Sequence, residues 1–493
     1  MPTPKVRKKS PPNSSAELRA AVEAERAGRL LEAEALYRSV IASDPKQWQA
    51  LHQLGSIHLA RGELAEALLC IGGAMKANAG SAEVTSNYGL VLCRLKRDHE
   101  AVEYFNRALI LKPGYVPALL TRSASLQHLG RREEALGSID RVIEIEPLHA
   151  RAHYNRAHIL LDMLRFDEAL KAYERAAELA PDDADIHWNE ALLLLMRGEY
   201  RRGWEKYEWR LKRPHHQERN FFAPVWRGED VAGKTILIHA EQGFGDTLQF
   251  VRYVPLLAKM GARVFLEVQP ALKPLMETLG GVSQLFARGE ALPEFDLHCP
   301  IMSLPLAFKT ELETIPANVP YLHAPAIYAE KWRERFPRGE KPAVAIACSG
   351  SLGNEENDIR SIPLECFAPL FADDSISWLV VQRELLPRDR AFLETQPQVR
   401  HFGEELADFA DTAALISQTD LVISVCTSLA HLAGALNFPF WLLSKYIADF
   451  RWLLDRVDSP WYPSARIIRQ PAHGDWTTVI EVVRNDLKSL IAR

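Results

Sequence analysis

The residues with the clearest chemical capacity sit in three short loops. In "IHAEQGFGDT", residues 238 to 247, an apolar strand-like run turns through Gly243 and Gly245 and presents the carboxylate of Asp246. A carboxylate there can take a proton from a hydroxyl, and glycines beside it leave the backbone open to a ligand. The same residue can instead cap a helix beginning near Thr247. A helix N-terminus favours the anion, which keeps Asp246 ionised and weakens it as a base, so hydrogen bonding and electrostatic stabilisation become its main contributions.

The second loop, "VCTSLAH", residues 425 to 431, offers the hydroxyls of Thr427 and Ser428 and backbone N–H groups at a helix start, an anion-binding arrangement. One turn on, His431 could reach an oxygen of a bound anion or be a satisfied core histidine. The third loop, "CSGSLGNEENDIRSIP", residues 348 to 363, carries Ser349, Gly350 and Arg360. Arg360 is its nearest permanent cation, able to neutralise phosphate charge or simply be solvated. The acidic runs "PDDAD" (181 to 185) and "ADDS" (372 to 375) read as turn carboxylates, not metal ligands.

These loops need strands and helices to hold them. "KTILIHA", "ARVFLEV" and "FDLHCP" read as strands separated by helical segments, and the pattern recurs in "PAVAIACSG", "SISWLVVQ", "LVISVCT" and "FPFWLLS". Alternation of this kind predicts two successive parallel-sheet, Rossmann-like domains, residues 218–325 and 326–493, joined by the proline-containing "ANVPYLHAPAIYAEKWRERFP". Ligands bind such sheets outside the carboxyl ends of the strands, so all three loops are expected at the interdomain cleft. The apolar stretch 421–443 is long enough to span a membrane, but Ser424, Thr427, Ser428, His431, Asn437 and Pro439 break it, and a buried strand–helix–strand unit is expected.

Composition narrows the function classes. The 493 residues carry a formal net charge of -5 and are 47% hydrophobic and 25% charged, which gives no electrostatic case for nucleic acid as a partner. Six scattered cysteines without a CxxC pair, and no histidines at zinc spacing, point to reduced thiols in a cytoplasmic protein and against a structural metal. Residues 1–13 read as a disordered basic tail.

The first two hundred residues repeat. Ala33, Ala67, Ala101, Ala135 and Ala169 are spaced 34 apart, with Gly203 continuing the series. Tyr37, Ile71, Phe105, Ile139, Tyr173 and Tyr207 follow each by four, and Pro45, Pro113, Pro147 and Pro181 keep the register. A small residue, a large one a turn later and a terminal proline describe a helical hairpin. The pattern resembles the tetratricopeptide repeat, about six units over 14–217, which implies an all-α superhelix that docks a protein or peptide. Asn87, Asn155 and Asn189 share one register on the first helices and could hold an extended peptide's backbone along the concave face, or be solvated.

"GFGDTLQFVRYVPLL", "SGSLGNEENDIRSIPLECFAPLF" and "CTSLAHLAGALNFPFWLLS" together resemble the loops of family 9 glycosyltransferases, and the whole arrangement resembles bacterial tetratricopeptide proteins carrying such a domain. That resemblance implies a GT-B fold, inverting metal-independent transfer from a nucleotide-sugar with no other cofactor, Asp246 as base, and a protein acceptor such as flagellin or another surface protein. It also marks two departures: Cys426 where relatives tend to carry an acidic residue, and Asn437 where they tend to carry glycine. Loss of that carboxylate leaves, as the alternative, a scaffold whose transferase half is degenerate.

Overall fold

The computed structural model describes residues 14–214, 219–350 and 360–491. The tail 1–13 and the centre of the third loop, 351–359, lie outside them. Two compact units divide the chain, Met1–Ile186 and His187–Arg493.

The first unit is a stack of antiparallel helix pairs: Ser14–Arg26 with Leu30–Ser43, Trp48–Ala60 with Leu64–Ala77, Ala82–Arg94 with Asp98–Leu111, Val116–His128 with Arg132–Ile145, and Ala150–Asp162 with Phe166–Leu179. The periodic positions explain the pairing. Ala33, Ala67, Ala101, Ala135 and Ala169 are fully buried, as are the large residues four positions on. Gly89 shows why the partner helix is small where it meets them, because a Cβ there would lie 2.8 Å from the Phe105 ring. Second helices stop at Ser43, Leu111, Ile145 and Leu179, two residues before each in-register proline, which cannot continue a helix.

The sixth pair, Ala184–Met196 and Tyr200–Tyr207, departs from the domain boundary expected at 217, because all but its first three residues fall in the second unit. Its second helix supplies core to that unit. Tyr200 Oη accepts a hydrogen bond from Trp461 Nε1 at 3.0 Å, and Trp204 packs edge-on against Phe250, Phe450 and Trp461. Aromatic edge contacts of this kind add about 0.5–1.5 kcal/mol each beyond buried area.

Two parallel sheets build the rest. The first contains β1 (Thr235–His239), β2 (Arg263–Val268), β3 (Val282–Ala287) and β4 (Leu297–Pro300) in the order β3-β2-β1-β4. The second contains β5 (Ala343–Ala347), β6 (Ser377–Val380), β7 (Val399–His401), β8 (Leu421–Val425), β9 (Phe440–Ser444) and β10 (Ala465–Arg469) in the order β10-β9-β8-β5-β6-β7. β5 and β8 are buried along their whole length, as expected of strands covered on both faces. The stretch 421–443 is β8, the helix Ser428–Ala435 and most of β9, and no helix among the described residues is long and apolar enough to cross a membrane.

Strand order reverses between β1 and β4 in one sheet and between β5 and β8 in the other. Such switch points open crevices beyond the carboxyl ends of the strands. The three chemically equipped loops follow β1, β5 and β8.

Candidate functional site

The helix after β1 runs Phe244–Phe250 with Gly243 as its N-cap, three residues ahead of the start expected near Thr247. Asp246 therefore lies in the first turn and caps from inside the helix, its Oδ2 accepting a hydrogen bond from Gly243 N at 2.9 Å. Its Oδ1 is taken by the Nη2 of Arg451, and Nη1 of the same guanidinium sits 2.9 and 3.0 Å from the two oxygens of Asp449. Burial works against these charges, but Asp449 and Asp246 hold the Arg451 guanidinium well above its ordinary pKa, and Arg451 in turn keeps Asp449 below the usual carboxylate range. The Asp246 and Arg451 side chains are 13% and 11% exposed, so the pair is largely shielded from water.

Gly245 has a packing task. A Cβ on it would lie 2.8 Å from His431 Cδ2, so the missing side chain lets the Phe244–Phe250 helix settle against the Ser428–Ala435 helix. His431 is a core histidine in place of the expected anion contact: it is buried, its Nδ1 is 3.0 Å from Tyr462 Oη, and its ring stacks on Trp452. Burial depresses its pKa to about 3, leaving the imidazole neutral.

A cleft of about 360 Å³ opens beside this joint. Phe244 and Phe409, with ring centroids 5.0 Å apart, form one wall, and Ser349, Gly350, Thr427 and Ser428 line it from the ends of β5 and β8. Gln382 fixes the β5 turn: its Oε1 accepts from Cys348 N at 2.6 Å and Ser349 N at 3.1 Å, while its Nε2 donates to Ser349 Oγ at 2.6 Å. Arg360 is not a solvated surface group. It donates from Nη1 to the Cys426 carbonyl at 3.3 Å and lies against Gly350, where a Cβ would collide with its guanidinium. The structure thus brings Ser349, Gly350, Arg360, Thr427 and Ser428 together.

Beside the Phe244 helix start, which holds Asp246 in its first turn, two further helix starts face the cleft, and their caps differ in charge. The helix Phe409–Ile416 is capped by the Asp408 carboxylate, which accepts from Ala410 N and Asp411 N. The helix Ser428–Ala435 is capped by the neutral Thr427, whose Oγ1 accepts from Leu429 N. Only the second leaves its partial positive charge uncompensated, so an anion in this cleft is drawn toward Ser428.

Neither departure distorts the fold. Cys426 Sγ accepts a hydrogen bond from Trp452 Nε1 at 3.0 Å, and burial pushes its thiol up to about 11, which favours the protonated form at neutral pH. Asn437 adopts φ 54°, a left-handed conformation in which asparagine is enriched among the non-glycine residues.

Arg451 and Arg210 escaped the sequence reading. Arg210, at the end of the sixth helix pair, is buried and donates to Glu241 Oε2 at 2.8 Å, Ser303 Oγ at 2.7 Å and Glu208 Oε1 at 2.5 Å. Glu241 follows β1 by two residues, so this guanidinium fixes the loop that carries Asp246. The signal available was a charged "YEWR" inside an aromatic stretch. Of the three asparagines, Asn87 and Asn155 are half-buried in the first unit, Asn87 paired with His52 Nε2 at 2.8 Å, and Asn189 lies in the second.

Family models of the tetratricopeptide repeat match residues 18–71, 54–116 and 150–183. These segments are tetratricopeptide repeats. Protein FlbA of Caulobacter vibrioides is 25% identical over 320 residues, 60% of this chain and 53% of that protein, so the chain spans about half the length of this curated relative. Among solved structures, YrrB, described as a tetratricopeptide protein with an unusual peptide-binding site, is 23% identical, covering 36% of this chain and 93% of its own with a TM-score of 0.33. PilW, a type IV pilus biogenesis factor, is 24% identical, covering 41% and 94% with a TM-score of 0.37. The repeats make the N-terminal region a scaffold of the kind that holds protein or peptide partners.

Proposed function

We propose that the α/β half is a GT-B glycosyltransferase that moves a sugar from a nucleotide-sugar donor to a protein or peptide held by the repeats. The observation that carries this reading is the convergence of the β5 and β8 switch-point loops on one cleft, with a neutral-capped helix start at Ser428 facing it. The donor's diphosphate meets the N–H of Ser428 and the hydroxyls of Thr427 and Ser428 at this helix start, and Arg360 beside the β5 and β8 turns adds positive charge as the nucleotide leaves. Phe244 and Phe409 offer an apolar wall to the donor. As the acceptor oxygen attacks the anomeric carbon, its proton passes toward Asp246. Because Arg451 shares that carboxylate, Asp246 acts chiefly by accepting a hydrogen bond and stabilising the developing positive charge on the sugar.

The same ion pair favours a second reading, a protein-docking scaffold with a degenerate transferase half, since a carboxylate held by a guanidinium is a poor proton acceptor. One experiment separates them. The full chain is incubated with a panel of nucleotide-sugars in the presence of EDTA, and thermal shift and nucleotide release are followed beside Asp246→Asn. A stabilising donor, with release slowed about 10²–10⁴-fold in the variant, supports the transferase. Stabilisation without release supports the scaffold, and no shift with any donor overturns nucleotide-sugar binding.

A further inference from the structure

We infer that the junction between the third and fourth helix pairs is a site for a zinc-class transition-metal ion, held by Cys93, Asp98 and His128. The three sit at the end of Ala82–Arg94, the start of Asp98–Leu111 and the end of Val116–His128, and their ligand atoms all lie within 4.8 Å of one another. Nδ1 of His128 is already 3.2 and 3.3 Å from the two Asp98 oxygens. Tetrahedral zinc with bonds of about 2.0–2.3 Å places its ligands roughly 3.3–3.8 Å apart, so the Asp98–His128 pair already stands close to ligand spacing and Cys93 lies within reach of both.

The donor set is particular to this junction. At the same three register positions the neighbouring repeats place Leu59, Leu64 and Arg94, then Gln127, Arg132 and Asp162, then Leu161, Phe166 and Met196. No other repeat combines a thiol, a carboxylate and an imidazole there. Spacing of 93, 98 and 128 matches no linear zinc motif, which is why the cluster is invisible until the hairpins stack. A thiolate, an imidazole and a carboxylate together suit zinc or cobalt over the hard cations magnesium and calcium. The carboxylate is buried and the His128 side chain is half exposed, at 50%, so the ion is reached from solvent on the imidazole side and can carry water as a fourth ligand.

On binding, the Cys93 sulfur loses its proton to solvent and forms the metal bond, and the ion ties three consecutive helices together. The role is a clip across two repeats, independent of the transferase reading. The test uses the full chain freed of metal by chelator dialysis and titrated with Co²⁺, followed by thiolate-to-cobalt charge-transfer absorption and displacement by Zn²⁺. One equivalent per chain is expected, with the band abolished in Cys93→Ser and affinity lowered at least tenfold in His128→Ala. Because His128 is half exposed, that variant keeps its fold, and its melting temperature is expected to lose the rise that Zn²⁺ gives the parent chain. Absence of a saturable band in the parent chain, or unchanged binding in either variant, overturns the site.

Discussion

Arg451 closes an ion pair on Asp246 from a loop 205 residues further along the chain, while Asp449 grips the other side of the same guanidinium. One cation thus satisfies two shielded carboxylates, and the helix after β1 is fastened to the loop after β9.

Removing that cation leaves two carboxylates facing one another. Arg451→Gln is expected to cost on the order of 3 kcal/mol of stability, read by urea unfolding, and Arg451→Lys less, because it keeps the charge and loses the fork. Combining Arg451→Gln with Asp246→Asn should recover about 1 kcal/mol or more of the loss; strictly additive effects would deny the coupling.

The two loop glycines should respond differently to an added methyl group. At Gly245 the new Cβ meets the His431 ring at 2.8 Å, whereas at Gly243 its nearest neighbour is Asp246 Oδ2 at 3.4 Å. Gly245→Ala is expected to destabilise by about 1–3 kcal/mol and Gly243→Ala by much less, measured as melting temperatures. Equal shifts would show that the helix joint has slack.

A charge placed at the Ser428 helix start tests the anion site directly. Ser428→Asp adds a carboxylate beside Thr427, which on the transferase reading should weaken nucleoside diphosphate binding at least tenfold by calorimetry. The substitution suits a helix start, so the melting temperature should hold or rise slightly. Unchanged affinity would move the diphosphate elsewhere.

Acid should loosen the α/β unit before the ordinary carboxylates titrate. Burial holds His431 and His239 near about 3, below the roughly 6.5 of a free imidazole, so the unfolded chain takes up protons that the folded chain refuses. Their contribution is complete above about pH 6.5 and is lost as pH falls toward 3. Melting temperature should therefore drop between pH 7 and pH 4.5, and His431→Gln should flatten that slope. A parallel slope would place the effect in other groups.

Much of the architecture was legible because it rests on local pattern. The 34-residue register named the helix hairpins, and continuous apolar runs bounded by glycine or hydroxyl residues marked β1, β5 and β8 with the loops that follow them. β3, β7 and β10 were missed for the opposite reason: "VSQLFA" is a half-exposed edge, "VRH" is three residues long, and "ARIIR" alternates too briefly to stand out. The site was legible in its loops and not in its electrostatics. Nothing near Asp246 in the chain announces Arg451, and an imidazole in "SLAHLAGA" reads alike as ligand or core until Tyr462 and Trp452 are seen against it. Periodicity also continued past residue 187, so it could not tell which core the sixth hairpin joins; the aromatic density of "YRRGWEKYEWR" was the available clue.

That sixth hairpin sets how this chain can vary. With Tyr200 and Trp204 seated among Phe250, Phe450 and Trp461, and Arg210 on Glu241, the final hairpin is no longer interchangeable with its siblings. The β1 loop and its carboxylate are therefore braced by a helix hairpin that belongs to the second unit's own core.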